Sequence, residues 1–287
     1  MIRFGAAGLD EQFYADGFSA SVDYPKWLRA MGLSAYEFQG GRGIKIGKDK
    51  AILLGNEAKN YDIQLSVHAP YYINLANTDA EKQQNSINYI LQSLQAAAYM
   101  GATRVTVHPG AVTKTSRQEA LQVAKVTLAH ALEQADEAGL WGIHICPEVM
   151  GKINQLGDVE EVASLCSLDE RLIPCIDFGH YNARTHGGIQ TVSDVDKVFD
   201  LLEDALGVER VSQFHSHFSR IEFTAGGEKK HWNYSDIQYG PDFDPVAACI
   251  AKRQYTPTII CESAGKMAQD AVILQKIYET EHRKMYA

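Results

Sequence analysis

Short apolar segments alternate with amphipathic segments along the whole chain, and this alternation restricts the possible folds more than any other feature of the sequence. The apolar segments are rich in Val, Ile and Phe and are nearly continuous, as expected of strands that are buried on both faces. The predicted strands cover residues 2–8, 35–39, 64–70, 104–110, 141–148, 172–180, 211–218 and 257–263.

Amphipathic helices are predicted between these strands. Residues 80–100 carry apolar side chains close to a 3.6-residue period, and the pattern ends before Gly101. Asp158 and Glu161 lie three residues apart and predict a capping box at a helix start. Other helices are predicted over residues 24–31, 50–60, 118–138, 158–168, 194–206 and 267–286.

Eight strands that are each followed by a helix predict a (β/α)8 TIM barrel, with residues 1–287 as a single domain. An open, doubly wound α/β sheet is the structural alternative. Such a sheet should carry a Gly-rich turn after its first strand, but the segment from Gly5 to Gly8 lacks the GxGxxG pattern. The barrel is therefore preferred.

The composition is that of a globular protein with a sizeable core, since 45% of the residues are hydrophobic and 22% are charged. No apolar run approaches the roughly 18 residues that a membrane span needs. The first residues are typical of neither a signal peptide nor a transit peptide. The five cysteines form no CxxC pair, so we expect a cytoplasmic protein with buried, reduced thiols.

Side chains with metal-binding chemistry follow six consecutive predicted strands. The carboxyl ends of the strands of a TIM barrel surround one opening, where the active site lies. Imidazoles and carboxylates crowded there would be strongly desolvated unless cations lay between them. We therefore predict a metal site at this opening. Its candidate ligands are His68, His108, Glu148, Asp177, His180, His215 and Glu262.

Each candidate also has an ordinary structural interpretation. A lone His at a strand end is more often a hydrogen-bonded core residue than a ligand, and Glu148 or Glu262 alone could belong to a structural ion pair. Together, however, the candidates are too many for one ion, because a catalytic zinc usually takes three protein ligands. Two metals bridged by a carboxylate such as Glu148 are the smallest arrangement that uses them all.

The spacing Asp177-x-x-His180 leaves two arrangements open, since the two side chains could serve one ion or two adjacent ions. The long segment 219–244 contains Glu228 and His231, which would be solvated loop residues if taken alone. Beside a metal centre, this pair could complete a third site with His180.

These residues resemble the endonuclease IV family of apurinic/apyrimidinic (AP) endonucleases, in the xylose isomerase-like barrel superfamily. The resemblance covers nearly the whole chain, and its specific motifs are His-x-x-Tyr-x-Ile-Asn-Leu and Asp-x-x-His. The matching residues are 68–75, 107–110, 147–148, 175–180 and 262–263, with His215, Glu228 and His231.

The resemblance implies a DNA-repair hydrolase with two or three zinc ions per chain; manganese is the other metal considered. A metal-bridging hydroxide would attack the phosphodiester 5′ to an abasic site in duplex DNA, with Glu148 and Glu262 as catalytic residues. The implied ligand sets are His68, His108 and Glu148; then Glu148, Asp177, His215 and Glu262; and finally His180, Glu228 and His231.

The resemblance also implies DNA contacts. Tyr71 is similar to a residue that enters the DNA beside the damaged site, and Arg42 to a basic residue used in the minor groove. Tyr72 and Trp232 could stack or wedge against bases, although each could equally pack within a loop. Duplex DNA with abasic sites is the implied partner, with no membrane and no obligate protein partner.

The chain departs from the family pattern in the third ligand set. The usual motif is Asp-x-His, whereas here Lys229 stands two residues before His231, so Glu228 must substitute. The residues after Glu148 also depart from the small, polar sequence that is usual there. These differences indicate a divergent, archaeal-type branch.

The formal charge of −9 at first argues against a nucleic-acid partner. Three zinc ions would add six positive charges to −9 and leave −3, so charge permits DNA binding without demonstrating it. Phosphate contacts would make such binding salt-dependent.

Two other functions are considered. A sugar isomerase or epimerase of the same superfamily would need one Mn or Mg ion and a Glu pair, but would leave His68, His108, His180 and His231 unused. A non-catalytic binding protein is the third candidate, although a costly ligand cluster has little structural use. His217, Glu37 and Gln39 stay unassigned: His217 points the same way as His215 and could contact a ligand, and the other two could line the barrel.

Overall fold

The computed structural model describes residues 1–286 and contains one eight-stranded parallel sheet. The sheet order is β5-β4-β3-β2-β1-β10-β7-β6, and an antiparallel pair, β8 with β9, stands apart from it. The strands are β1 Arg3–Ala7, β2 Ala35–Gln39, β3 Gln64–His68, β4 Arg104–Val107, β5 His144–Pro147, β6 Cys175–Asp177, β7 His215–Phe218, β8 Arg220–Thr224, β9 Gly227–Trp232 and β10 Thr258–Cys261.

β5 and β6, the first and last strands of the sheet order, contact each other and close the sheet into a barrel. Parallel bridges join Ile145 to Leu172 and Glu148 to Cys175. The backbone N–H of Val149 also donates to the carbonyl of Cys175 at 2.9 Å. The (β/α)8 TIM barrel predicted from the sequence is thus confirmed.

Helices follow the barrel strands and cover the outside of the sheet. The capping box predicted at Asp158 is present, since the carboxylates of Asp158 and Glu161 each accept from the other residue's backbone N–H. The helices are α1 Glu11–Ala15, α2 Tyr24–Ala30, α3 Lys48–Asn60, α4 Ala80–Met100, α5 Arg117–Glu137, α6 Val159–Cys166, α7 Phe178–Arg184, α8 Val192–Leu206, α9 Val208–Val211, α10 Asp244–Arg253 and α11 Met267–Tyr286.

One predicted strand is much shorter than expected because a short helix replaces its end. The predicted strand 172–180 contains only the three residues of β6, and α7 begins directly after Asp177. Asp177 is the N-cap of α7, and its Oδ1 accepts from the backbone N–H of His180 at 2.7 Å. His180 therefore lies in the first turn of a helix, and its position relative to Asp177 is fixed.

Segment 219–244 is more ordered than a loop. It contains the β8–β9 hairpin and so holds Glu228 and His231 on β9. None of the helices within residues 1–286 is both long and apolar enough to cross a membrane.

The interior of the barrel contains buried polar side chains as well as apolar ones. Most buried side chains are aliphatic or aromatic, but β2, β3, β4 and β7 place fully or nearly fully buried polar groups inside. Buried polar groups must be hydrogen-bonded or paired to be tolerated. These polar residues are Glu37, Ser66, Thr106, His215 and His217.

Candidate metal centre

A cavity of about 330 Å³ opens at the carboxyl ends of the barrel strands. Seven of the nine residues predicted as metal ligands line it, and they come from four barrel strand ends, α7 and β9. Asp177 and His215 are fully buried beneath the cavity. The seven lining residues are His68, His108, Glu148, His180, Glu228, His231 and Glu262.

Within residues 1–286, the potential ligand atoms form five overlapping groups, in each of which one atom per residue lies within 4.8 Å of the others. One group is His68, His217 and Glu262, and another is Cys175, His215 and His217. Glu148 belongs to two of the remaining three groups and joins them. We call these three the first group (His68, His108, Glu148), the central group (Glu148, Asp177, His217, Glu262) and the outer group (His180, Glu228, His231). Asp177 and His180 therefore lie in different groups.

Glu148 lies at the middle of the site and is almost completely buried. Its Oε2 is 3.3 Å from Nε2 of His68 and 3.2 Å from Nε2 of His108. Its Oε1 is 3.2 Å from Nδ1 of His180 and 3.3 Å from Nδ1 of His217. Burial alone would raise the pKa of Glu148, but the charges of His108 and His217 outweigh burial and hold the pKa well below its usual range.

Most of the histidines bond through one ring nitrogen to the surrounding chain. Nδ1 of His68 bonds to the carbonyl of Ala69 at 2.8 Å, and Nδ1 of His180 bonds to the carbonyl of Val149 at 3.1 Å. Nδ1 of His231 bonds to Oγ of Ser219 at 2.8 Å. Such bonds fix the tautomer and orientation of a metal-binding imidazole and leave its second nitrogen free for the metal.

Asp177 provides an independent test of whether cations fit. Its Oδ2 is buried and has no hydrogen-bond partner among residues 1–286, although Nδ1 of His180 lies 3.2 Å away. Burial raises the pKa of the Asp177 carboxyl, the charge of His180 opposes this, and the charges of Glu148 and Glu262 add to it. An unpartnered carboxylate oxygen among like charges suits a divalent cation, and the mixed His and carboxylate set suits zinc or manganese.

The structure brings His217 into the central group and leaves His215 outside it. Both side chains point into the barrel, because residues two apart on a strand face the same way. The strand register decides between them: His217 pairs with Asp177, at the tip of β6, whereas His215 pairs with Cys175, one layer deeper. The structure therefore groups His217, in place of the predicted His215, with Glu148, Asp177 and Glu262, and the ligand assignment stays a prediction.

A β-bulge explains how Glu228 and His231 can serve one site. Residues three apart on a regular strand point to opposite faces. In the hairpin, Glu222 pairs with Lys230 and the next residue, Phe223, pairs with Glu228, so Lys229 is the extra residue of a bulge. Nε2 of His231 consequently lies 3.7 Å from Oε1 of Glu228.

The outer group also depends on a close approach of the hairpin to the segment after β5. The backbone N–H of Glu228 donates to the carbonyl of Gly151 at 3.0 Å. A Cβ atom at position 151 would lie 2.6 Å from Cβ of Glu228, so only Gly fits there. Nε2 of His180 lies 3.4 Å from Oε2 of Glu228 and completes the group.

The predicted DNA-contacting residues have different surroundings. Tyr71 lines the cavity and is 54% exposed, and the ring of Tyr72 packs against Tyr89 with ring centroids 4.7 Å apart. Arg42 is exposed in the loop after β2. Trp232 already stacks on Tyr239 with centroids 4.9 Å apart and has Nζ of Lys230 3.8 Å from its ring centre.

A closed parallel barrel with carboxylates and imidazoles at its strand ends defines the class of this protein. Residues 25–279 match the xylose isomerase-like TIM barrel family, so the chain belongs to that family, which is an enzyme superfamily. An uncharacterized protein of Methanocaldococcus jannaschii is 32% identical over 280 residues, 97% of each chain.

The predicted resemblance to endonuclease IV is confirmed by similarity to proteins of that name. A probable endonuclease 4 of Acholeplasma laidlawii is 29% identical over 169 residues, which cover 57% of this chain and 55% of the relative. The alignment thus spans about half of that protein.

Solved structures share the fold. A D-tagatose 3-epimerase-like protein has a TM-score of 0.74 at 18% identity and covers 100% of both chains. Endonuclease IV from Thermus thermophilus has a TM-score of 0.69 at 18% identity, with 98% of this chain and 99% of that chain covered.

Proposed function

We propose that the protein is a zinc-dependent AP endonuclease that hydrolyses the phosphodiester 5′ to an abasic site in duplex DNA. The observation that carries this proposal is the presence of three adjacent ligand groups, two of which share Glu148. This is more ligand chemistry than one ion can use, since a catalytic zinc takes about three protein ligands. Clustered divalent ions would supply an activated water and would neutralise charge on both the attacking and the leaving oxygen of a phosphodiester.

The candidate ligands are held rigidly by the fold and would keep such ions at fixed positions. Glu148 directs one oxygen toward the first group and the other toward His180 and His217, so its carboxylate would be shared between ions held by the first and central groups. Asp177 is held as a helix N-cap, and Glu228 is held on a paired strand. Preorganised groups of this kind need no rearrangement when charge develops on the phosphate.

The surroundings of the cavity suit an extrahelical or damaged nucleotide. Its volume of about 330 Å³ falls at the lower end of small-ligand sites. Exposed Tyr71 at its edge could fill the gap left by a missing base. Lys152, which also lines the cavity, places a cation where a phosphate would enter.

Incision of a labelled duplex that carries a tetrahydrofuran abasic analogue tests the proposal. The zinc-loaded protein should cut this duplex on the 5′ side of the analogue and leave a 3′-hydroxyl end that a DNA polymerase can extend. The same duplex without the lesion is the control. Zinc-loaded protein that leaves the abasic duplex intact over a range of salt concentrations would refute the assignment.

A sugar epimerase is the second candidate, because the central group alone offers four ligands for one ion, two of them glutamates. The similarity to a D-tagatose 3-epimerase-like structure concerns the fold only. An epimerase would give no role to the first and outer groups. Epimerisation of ketohexoses by protein loaded with one Mn²⁺, without incision of DNA, would favour this candidate.

The outer group should hold an ion of its own. We expect His231→Ala to lower the zinc content by one ion per chain, because it removes one of three ligands and leaves Glu228 and His180 without the third. The first and central groups should keep their zinc. Elemental analysis after gel filtration measures this, and His130→Ala, on the exposed face of α5, is the matched control. Equal zinc content in both variants would show that the outer group binds no metal.

A further inference from the structure

The carboxylate of Glu37 lies inside the barrel, beside the central group, and belongs to none of the three ligand groups described above. Glu37 of β2 is completely buried, and the hydrogen-bond donors around it divide between its two oxygens. Oε1 faces Nε2 of His217 at 2.9 Å and Nε2 of Gln39 at 3.3 Å. Oε2 accepts from Nε2 of His215 at 2.8 Å, Oγ of Ser66 at 2.9 Å and Oγ1 of Thr106 at 3.3 Å.

Burying the Glu37 carboxylate costs desolvation free energy, which suggests that this side chain has a function. Within residues 1–286, Glu37 forms ion pairs with His215 and His217 but with no Lys or Arg. A buried carboxylate needs several strong donors to be tolerated, and an apolar side chain of similar size would avoid this cost. Its position under a candidate metal ligand suggests what it does.

Both ring nitrogens of His217 lie beside a carboxylate. Nδ1 bonds to Oε1 of Glu148 at 3.3 Å and lies 3.7 Å from Oε1 of Glu262, whereas Nε2 lies 2.9 Å from Oε1 of Glu37 but is not aligned for a hydrogen bond. Glu148 and Glu262 belong to the central group, so Nδ1 is the nitrogen that would face a bound cation. Nε2 would then carry the proton, because the ionised carboxylate of Glu37 only accepts.

We propose that Glu37 is a positioning residue that holds the ring and the tautomer of His217 so that Nδ1 binds the central metal. The other donors hold Glu37 itself: His215, Ser66 and Thr106 fix Oε2, and Oε1 is left for His217. In the His215-x-His217 pair, His217 is thus the metal ligand and His215 holds Glu37 in place. This inference rests on the proposed metal centre but not on the identity of the substrate.

The first test compares zinc affinity in Glu37→Gln with that in Ser66→Ala. Gln keeps the shape of Glu37 but is neutral and puts an N–H₂ donor in place of one oxygen. One zinc ion should therefore bind about 10- to 100-fold more weakly, as is typical when the partner of a metal-binding His is removed. The ion of the outer group should keep its wild-type affinity. Ser66→Ala removes a donor from Oε2 alone and should change zinc affinity by less than about 3-fold, because the contact with His217 persists.

Competition with a chromophoric chelator measures each affinity, and thermal unfolding of the metal-free variants shows whether they fold. Wild-type affinity in Glu37→Gln would overturn the proposal. An equal loss in Ser66→Ala would also overturn it, because the effect would then come from general disruption of the barrel core.

The second test needs no substitution. Long-range ¹H–¹⁵N NMR of the histidine side chains in zinc-loaded wild-type protein reports which nitrogen carries the proton. We expect His217 to carry it on Nε2, and a proton on Nδ1 would overturn the proposal. Both tests read metal binding or protonation rather than catalysis, so failure to cut abasic DNA would refute the proposed function and leave these results intact.

Discussion

Replacing Glu148 with Gln is expected to reduce incision of abasic duplex by about 10³-fold or more, which corresponds to about 4 kcal/mol of lost transition-state stabilisation. Glu148 is the residue that the first and central groups share, and its two oxygens face four imidazoles at 3.2–3.3 Å. Gln has the same shape but no charge, and its N–H₂ group cannot coordinate a cation. The zinc content should fall together with the rate, since neighbouring ions lose a shared ligand.

Single-turnover incision and elemental analysis of the same preparations measure both effects. Glu160→Gln is the matched control, because Glu160 is an exposed carboxylate on α6. It should retain the rate and the zinc of the wild type. A Glu148→Gln protein that keeps its metal and its activity would show that Glu148 does not join two metal sites.

Removing the metal is expected to lower stability as well as activity. Glu148, Asp177 and Glu262 place carboxylate oxygens within 4.8 Å of one another in the central group. Without a cation these charges repel each other and are compensated only by imidazoles. An ion that binds only the folded state stabilises it by about 4 kcal/mol when free zinc exceeds the dissociation constant 1,000-fold.

Thermal unfolding of chelator-treated protein, with zinc added back stepwise, measures this effect. The midpoint should rise with zinc in the wild type and rise less in Glu148→Gln at the same concentrations. A wild-type midpoint that does not respond to zinc would mean that the strand-end carboxylates are structural. Zinc that raises the midpoint of both proteins equally would place the binding site elsewhere.

Much of the fold could be predicted because it depends on local patterns. Eight buried strands produce apolar runs that a sequence displays directly, and Gly101 ends α4 in the left-handed conformation that favours glycine, with φ of 67°. The ends of strands were less predictable. In segment 172–180 the apolar run continues past β6 because Phe178 packs in the core from the first turn of α7.

The site could be predicted in outline because a barrel gathers the ends of all its strands at one opening. The choice between His215 and His217 could not be predicted, because both side chains face inward. Only the register of β7 against β6 places His217 level with Asp177. The sequence carried no signal for the role proposed for Glu37 either. Its partners His215 and His217 are 178 and 180 positions away and meet it only when the barrel closes.

The outer group shows how a departure from a family motif can be accommodated. The spacing Glu228-x-x-His231 would separate the two side chains on a regular strand. The bulge at Lys229 returns them to one face, and the glycine at position 151 lets β9 approach His180. A hydrophobic pattern does not reveal this bulge, because the side chains of β9 are almost all polar and show no alternation.

The number and kind of metal ions in protein purified without chelator test the central claim most directly. We predict two or three zinc ions per chain, with the third lost in His231→Ala and the metal content reduced in Glu148→Gln. The nine candidate ligand residues of the three groups are more than one ion would use, and their imidazoles favour zinc. A single manganese or magnesium ion per chain, unchanged in His231→Ala, would contradict a multinuclear hydrolytic centre and favour an epimerase.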